Sequence, residues 1–279
     1  MERCTVVRVR ERHIVSYIVS HHPKKELLMN NQLSLLSYRY WLESRTRFII
    51  SLILLIAVTW YIISGAENVI KQFITARPNE PFPFTKYIWF LLYKGYLLTL
   101  YTFSSFVLGL GGVMQEKQNG SASFTLALPV KRTEIMRAKI TIASSEVFAL
   151  ALLSTFSIVL FAAMYGHSYP WQHALTFGIL MTAGGLVFMM LGIFLSLFIS
   201  RELVLPTTGI AVIGALFFLT KLPGLKMLNI FNLMCGAGYL SNETFLFIRP
   251  FNWQGVVACV LIALFTALIA EQVVRKKDF

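Results

Sequence analysis

Aspartate is all but missing from this chain: Asp278 is the only one in 279 residues. A membrane protease that works through paired aspartates is therefore excluded. The five histidines form no HExxH pattern, which removes zinc proteases of that type. There is no GxxxxGK[ST] and no Gly-Lys pair anywhere, so the chain carries no phosphate-binding loop of its own. The three cysteines, Cys4, Cys235 and Cys259, have neither CxxC nor metal spacing, and an odd number sets up no disulfide framework. Charge is scarce as well, at 14 % of residues against 56 % hydrophobic. A chain of this length and composition is an integral membrane protein, not a soluble domain.

What charge there is leans to base, with a formal net charge of +12. Nucleic-acid binding would need those residues gathered on one water-facing surface. Here they stand beside apolar runs, the positive-inside pattern, and no nucleic-acid partner is expected.

In chain order, residues 1–28 are basic and only weakly apolar, without an apolar stretch long enough for a signal peptide. Met29 reads as a sensible start, with 1–28 an extension or a disordered tail and 29–279 the membrane domain. From Asn31 to Arg47, Leu33, Leu36, Tyr40 and Trp41 recur at helical spacing among Arg39, Arg45 and Arg47. This predicts an amphipathic helix lying in the membrane interface. Since about 20 apolar residues cross the hydrocarbon core, six spans are predicted near 48–65, 88–114, 141–165, 174–200, 203–220 and 254–273. The fold class is thus an all-α membrane protein of six transmembrane helices preceded by a cytoplasmic amphipathic helix.

Between the first two spans, prolines 78, 81 and 83 mark a loop with room for one short interfacial helix. Ser200-Arg201-Glu202 joins the fourth and fifth spans as a tight hairpin. The stretch 221–253 is apolar but broken by Pro, Gly and Asn, and is expected to dip into the outer leaflet. With the N-terminus in the cytoplasm, 18 Lys and Arg fall on that side, six on the other, and Lys94 near an outer helix end. That bias places both termini in the cytoplasm. Ser105 with Gly109, and Gly192 with Ser196 and Ser200, repeat at four-residue spacing, which lets helix backbones approach closely.

The chain is organised around 114–140, which carries Glu116, Lys117, Lys131, Arg132, Glu134, Arg137 and Lys139 and must lie in water or among headgroups. Asn119-Gly120-Ser121 is turn chemistry, Phe124 to Leu128 is a short apolar patch, and Pro129 stops it before the next helix. An apolar patch exposed between charges reads as a docking surface. Glu146, early in the third span, either faces a polar pathway or sits near the interface and pairs with a neighbour. His167 and His173 lie in an outer turn, and Lys94 snorkels to the outer surface.

At this loop the sequence resembles the ABC-2-type permeases, membrane subunits of ATP-binding-cassette exporters. The matching residues are Glu116-Lys117, Gly120, and Leu126-Ala127-Leu128-Pro129-Val130 followed by Arg132 and Lys139; the overall plan of spans agrees, and residues 1–28 are not required by the family. The resemblance implies that the loop forms a coupling helix seated on a cytoplasmic ATPase subunit, with the amphipathic helix (Arg39, Trp41, Arg45, Arg47) beside it. Phe124, Leu126 and Leu128 would be the apolar anchor, and Glu116, Lys131, Arg132 and Arg137 the rim charges. It also implies a second permease chain, ATP and magnesium bound by the partner rather than by this chain, no catalytic site here, and location in the plasma membrane. The cargo would be hydrophobic or amphipathic, such as a peptide antibiotic or a lipid-like molecule, passing hydroxyls such as Thr99, Thr102, Ser104 and Ser105. The alternatives are a non-transporting scaffold that recruits a soluble partner and an ion-coupled transporter; the near absence of charge deep in the spans weighs against the latter.

Overall fold

A computed structural model describes residues 24–77, 82–110, 132–199, 204–220, 229–241, 245–247 and 253–276. These residues are overwhelmingly helical, and the only β-pairing among them is a single bridge between Leu240 and Phe247.

Helix α1 (Lys24–Ser64) runs for 41 residues without a break. Its sequence holds neither glycine nor proline, the residues that end or kink a helix, and the first glycine, Gly65, is where it stops. The amphipathic stretch 31–47 is therefore collinear with the first apolar span rather than a separate helix, and the helix passes straight through Met29. Helix α2 (Ala66–Ala76) is the short helix expected in the following loop, with Lys71 and Glu67 paired at 2.6 Å on its surface. Helix α3 (Phe84–Ile88) passes into a π-helical segment, Trp89–Tyr96, and then into α4 (Leu97–Gly109). Within the π segment Gly95 leaves helical geometry altogether, at φ −108° and ψ −113°, and such segments widen the helix and interrupt its register.

Helices α5 (Arg132–Met164), α6 (Trp171–Ser196), α7 (Val204–Leu219), α8 (Ile230–Met234) and α9 (Trp253–Lys276) complete the described elements. Four stretches are long and apolar enough to cross a membrane: Ser37–Ser64, Thr133–Met164, Trp171–Ser196 and Trp253–Arg275. Neither the stretch near 88–114, which is helical from Phe84 to Gly109 through the π segment, nor the one near 203–220, which holds the shorter apolar α7, is among these four.

Helix α6 is the hub, packing against α4, α5, α7, α8 and α9, while α1 lies along α5 and α4. Helices α4 and α6 approach backbone to backbone. A side chain at Gly109 would overlap the Met189 carbonyl, and one at Gly192 would overlap the Phe106 carbonyl. Gly109 and Gly192 thus serve packing within the chain, where backbone contact substitutes for the absent hydrophobic drive between helices in lipid.

The two ends of the bundle differ. At one end, here the aromatic end, Tyr93 stacks on Phe177 at 3.7 Å, Phe84 on His167 at 4.2 Å and His173 on Phe247 at 5.6 Å. Helix α8 and the turn after it fold back against α6, so Met234 and Cys235 are buried, and Trp89 Nε1 donates to the Cys235 carbonyl at 2.7 Å. In this part the stretch expected to dip into the outer leaflet packs against the bundle. Lys94 lies over Trp89 and Phe90, at 5.1 and 5.3 Å from the ring centres, a cation on aromatic faces. The opposite end gathers Arg47, Arg137 and Lys139 and is the basic end.

Candidate functional site

The site is built where three helices meet at the basic end. Tyr40, Glu43, Ser44 and Arg47 recur at helical spacing on one face of α1, and Lys139, Ile142, Ala143 and Glu146 do so on one face of α5. The two faces meet around a small cleft, closed on its third side by Leu108 and Leu110 at the end of α4.

Helical side chains lean toward the N-terminus of their helix. Glu146 accordingly reaches back toward the start of α5, where Ser44 Oγ donates to its Oε1. Glu146 is only 2 % exposed, and its second oxygen, Oε2, has no hydrogen-bond partner among the described residues. Arg47 Nη1 donates to the Leu110 carbonyl at 2.6 Å. That carbonyl follows the last turn of α4, where the helix leaves its acceptors unmatched, and a guanidinium is a strong donor to satisfy one. On the far side of Ser44, Tyr40 packs on Ile135 and Ala138 of α5 in a small apolar cluster of its own.

This arrangement grips both flanks of the charged loop. Arg47 holds Leu110, the last described residue before 111–131; Tyr40 packs on the first two turns of α5, which begins just after it, and Ser44 bonds that helix at Glu146, about four turns in. The loop residues Glu116, Lys117, Gly120, Phe124, Leu126, Leu128, Pro129, Val130 and Lys131 lie outside the described residues. Arg132 is the first residue of α5, and Lys139 lines the cleft. Arg137 is engaged within the chain: its Nη2 meets Glu271 Oε1 of α9 at 2.8 Å.

In the N-terminal helix, Trp41 is exposed and its ring lies 5.7 Å from Phe48; Arg45 is exposed and Arg39 half-buried. The pathway hydroxyls separate into two groups. Thr99 is exposed and donates to the Gly95 carbonyl at 3.1 Å, whereas Thr102, Ser104 and Ser105 are buried in the interior of the single chain. Thr102 spends its proton on the Leu98 carbonyl of its own helix, at 2.8 Å.

Sequence reasoning passed over Ser44 and Glu43, and read Tyr40 only as an apolar position of the amphipathic helix. The signal was present as two matching periodic faces, 40/43/44/47 and 139/142/143/146, each mixing polar and small residues just inside the start of an apolar span. Among the described residues, no three His, Cys, Asp or Glu side chains come together as a metal site would require.

The sequence model of the ABC-2 family of transporter proteins matches residues 45–258, well over half of the chain. A comparison with curated proteins finds no match. The matched stretch takes in Arg47, Leu110 and Glu146, three of the groups that make the junction, as well as the whole charged loop. With helices long and apolar enough to span a bilayer repeatedly, the chain belongs to the ABC-2 family and is a multi-pass membrane permease component of an ABC transporter.

Proposed function

We infer that the chain is the permease subunit of an exporter driven by a separate cytoplasmic ATPase, which binds the ATP and magnesium. The loop 114–140 docks on that subunit, with Phe124, Leu126 and Leu128 as the apolar anchor and Glu116, Lys131 and Arg132 at the rim. Six spans cross the plasma membrane with both termini in the cytoplasm. The helical run Phe84–Gly109 and helix α7 supply the second and fifth crossings, and the leading part of α1 projects from the first. A second permease chain completes the pathway for a hydrophobic or amphipathic substrate. The observation that carries this reading is the junction itself: Arg47 bonds Leu110 just before the loop, and Tyr40 packs on the first two turns of α5. A push on the loop is thereby delivered to a membrane helix, as an energised switch between two packings requires.

The test is an affinity pull-down of the tagged chain from detergent-solubilised native membranes, with identification of partners and an ATPase assay on the eluate. A P-loop ATPase that co-elutes and hydrolyses ATP is the expected result. Leu128→Asp should remove that ATPase while leaving the chain inserted, because a charge placed in an apolar anchor is desolvated without a partner. Retention of the ATPase by the variant would refute the docking role of the loop.

A further inference from the structure

At the aromatic end, rings and cations form one unbroken series. Lys86 Nζ lies 5.4 Å from the ring centre of Phe82 and 5.5 Å from that of Phe245. Phe245 meets Trp89 at 5.2 Å between ring centres, and Lys94 Nζ stands 5.1 Å from Trp89 and 5.3 Å from Phe90. Two ammonium groups thus bracket the Phe245–Trp89 pair. Ring faces attract a cation without neutralising it, and among the described residues no carboxylate pairs with either lysine.

The rings between the cations are fixed from elsewhere. Trp89 is held by the bond from its Nε1 to the Cys235 carbonyl. Phe245 is the only non-glycine among the described residues with positive φ, at 54°, a conformation that a bulky residue keeps only where its surroundings impose it. The series is also open: Lys94 and Phe90 are exposed, and Lys86, Trp89 and Phe245 are half-buried. Snorkelling alone would carry each ammonium past the rings to water, whereas both are turned onto the same pair.

The two cations start from different depths. Lys86 is at the mouth, where its neighbour Tyr87 donates to the Ile62 carbonyl close to the end of α1. Tyr93 stacks on Phe177, six residues into α6, so the backbone of Lys94 lies about 9 Å below the start of that helix. Cations at such depth are costly, and they mark ion and substrate paths. A lipid phosphate keeps to one level of a leaflet, but cargo crossing the bilayer meets both levels in turn.

We propose that this series is a binding track for the exported substrate, and that the substrate is an amphipathic organic anion. Its anionic group accepts N–H bonds from Lys94 and then from Lys86, while its apolar body lies along Phe90 and the neighbouring rings. The inference rests on the permease reading, in which the aromatic end is the outer one, and it narrows the substrate class to molecules that carry a carboxylate, sulfonate or phosphate.

The chain, with any ATPase that co-elutes, can be reconstituted in phosphatidylcholine nanodiscs, irradiated with a photoactivatable long-chain alkyl sulfonate or the alcohol of the same chain, and its labelled peptides mapped by mass spectrometry. The sulfonate should label the stretch 82–99 about tenfold more than the alcohol, a difference one charge-assisted hydrogen bond can supply. Lys86→Gln combined with Lys94→Gln should bring the sulfonate down to the level of the alcohol, and the paired Lys→Arg changes should keep the preference. Equal labelling by the two probes, or an unchanged preference in the Gln pair, overturns the proposal. So does displacement of the sulfonate by phosphatidylglycerol at matched concentration, which would assign the lysines to a resident lipid. If the Gln pair fails to insert, the two probes on the unaltered chain decide. Labelling is read on this chain and does not need the ATPase: co-elution without a preference for the sulfonate overturns this inference alone, and the preference without co-elution leaves the anion site standing while the permease reading falls.

Discussion

At the aromatic end the bundle is sealed by rings, Tyr93 on Phe177 and His173 on Phe247, with the indole of Trp89 pinned to the Cys235 carbonyl. At the basic end two polar contacts stand around a cleft, Ser44 on Glu146 and Arg47 on Leu110. Contacts of the first kind are many, individually weak and tolerant of small shifts. Those of the second kind are few and directional, so each is either made or lost, and each donor can be handed to another acceptor. An end that must stay shut is well served by the first. An end that takes force through a docked loop, as in the function proposed above, is well served by the second.

Five substitutions break or sharpen this contrast, each read from thermal unfolding of the purified chain in one detergent. The largest loss is expected for Phe177→Ala, which empties the place of a 1 % exposed ring between Tyr93 and Phe247 and should cost about 3–5 kcal/mol, as ring deletions in packed interiors do. A cost below that of Ser44→Ala would dissolve the distinction between the ends. Next comes a pair of glycines. Gly109→Ala drives a methyl into the Met189 backbone, which cannot yield, and about 3 kcal/mol is expected from such overpacking. At Gly184 the methyl meets the Met234 side chain, which can swing away, so Gly184→Ala should cost much less; equal costs would show that the aromatic end is as rigid as the backbone contact.

Ser44→Ala leaves both Glu146 oxygens without a donor from α1 and should cost about 1.5–2 kcal/mol, the scale of a hydrogen bond to a charged group. The smallest effect is expected at the exposed Glu67–Lys71 pair. The hydrogen bond and charge of Lys71 hold the Glu67 carboxyl below its ordinary value of 4.5. A lowered carboxyl stabilises the fold above the unfolded value, and that contribution disappears as pH falls through the lower folded value. Lys71→Gln should leave unfolding at neutral pH unchanged within error and remove only this acid-limb dependence.

The two ends were not equally legible in the sequence. Helix class, the positions of the apolar runs and the charged loop follow from composition and periodicity, which are local properties. The unbroken course of α1 through Phe48 was also readable, because a segment without Gly or Pro offers no place for a corner, but the change from amphipathic to apolar pattern invited a division there. The π-helical segment at Trp89–Tyr96 has no local signature beyond Gly95, since it depends on what the neighbouring helices allow. The partner of Glu146 could be anticipated only as some neighbour: Ser44 lies 102 positions away, and nothing short of the packing brings them together. The buried setting of Thr102, Ser104 and Ser105 is of the same kind, since a hydroxyl in an apolar helix looks alike whether it faces a channel or its own backbone.

The unbroken α1 can also be considered as a lever. From Lys24 to Tyr40, which packs on α5, the helix rises about 1.5 Å per residue, an arm of about 24 Å. A tilt of about 10° there sweeps the tip of a straight helical arm of this length through about 4 Å. Small angular adjustments at the Arg47 and Ser44 contacts are thus magnified at the tip, and conversely a modest pull there is delivered to the bundle with mechanical advantage.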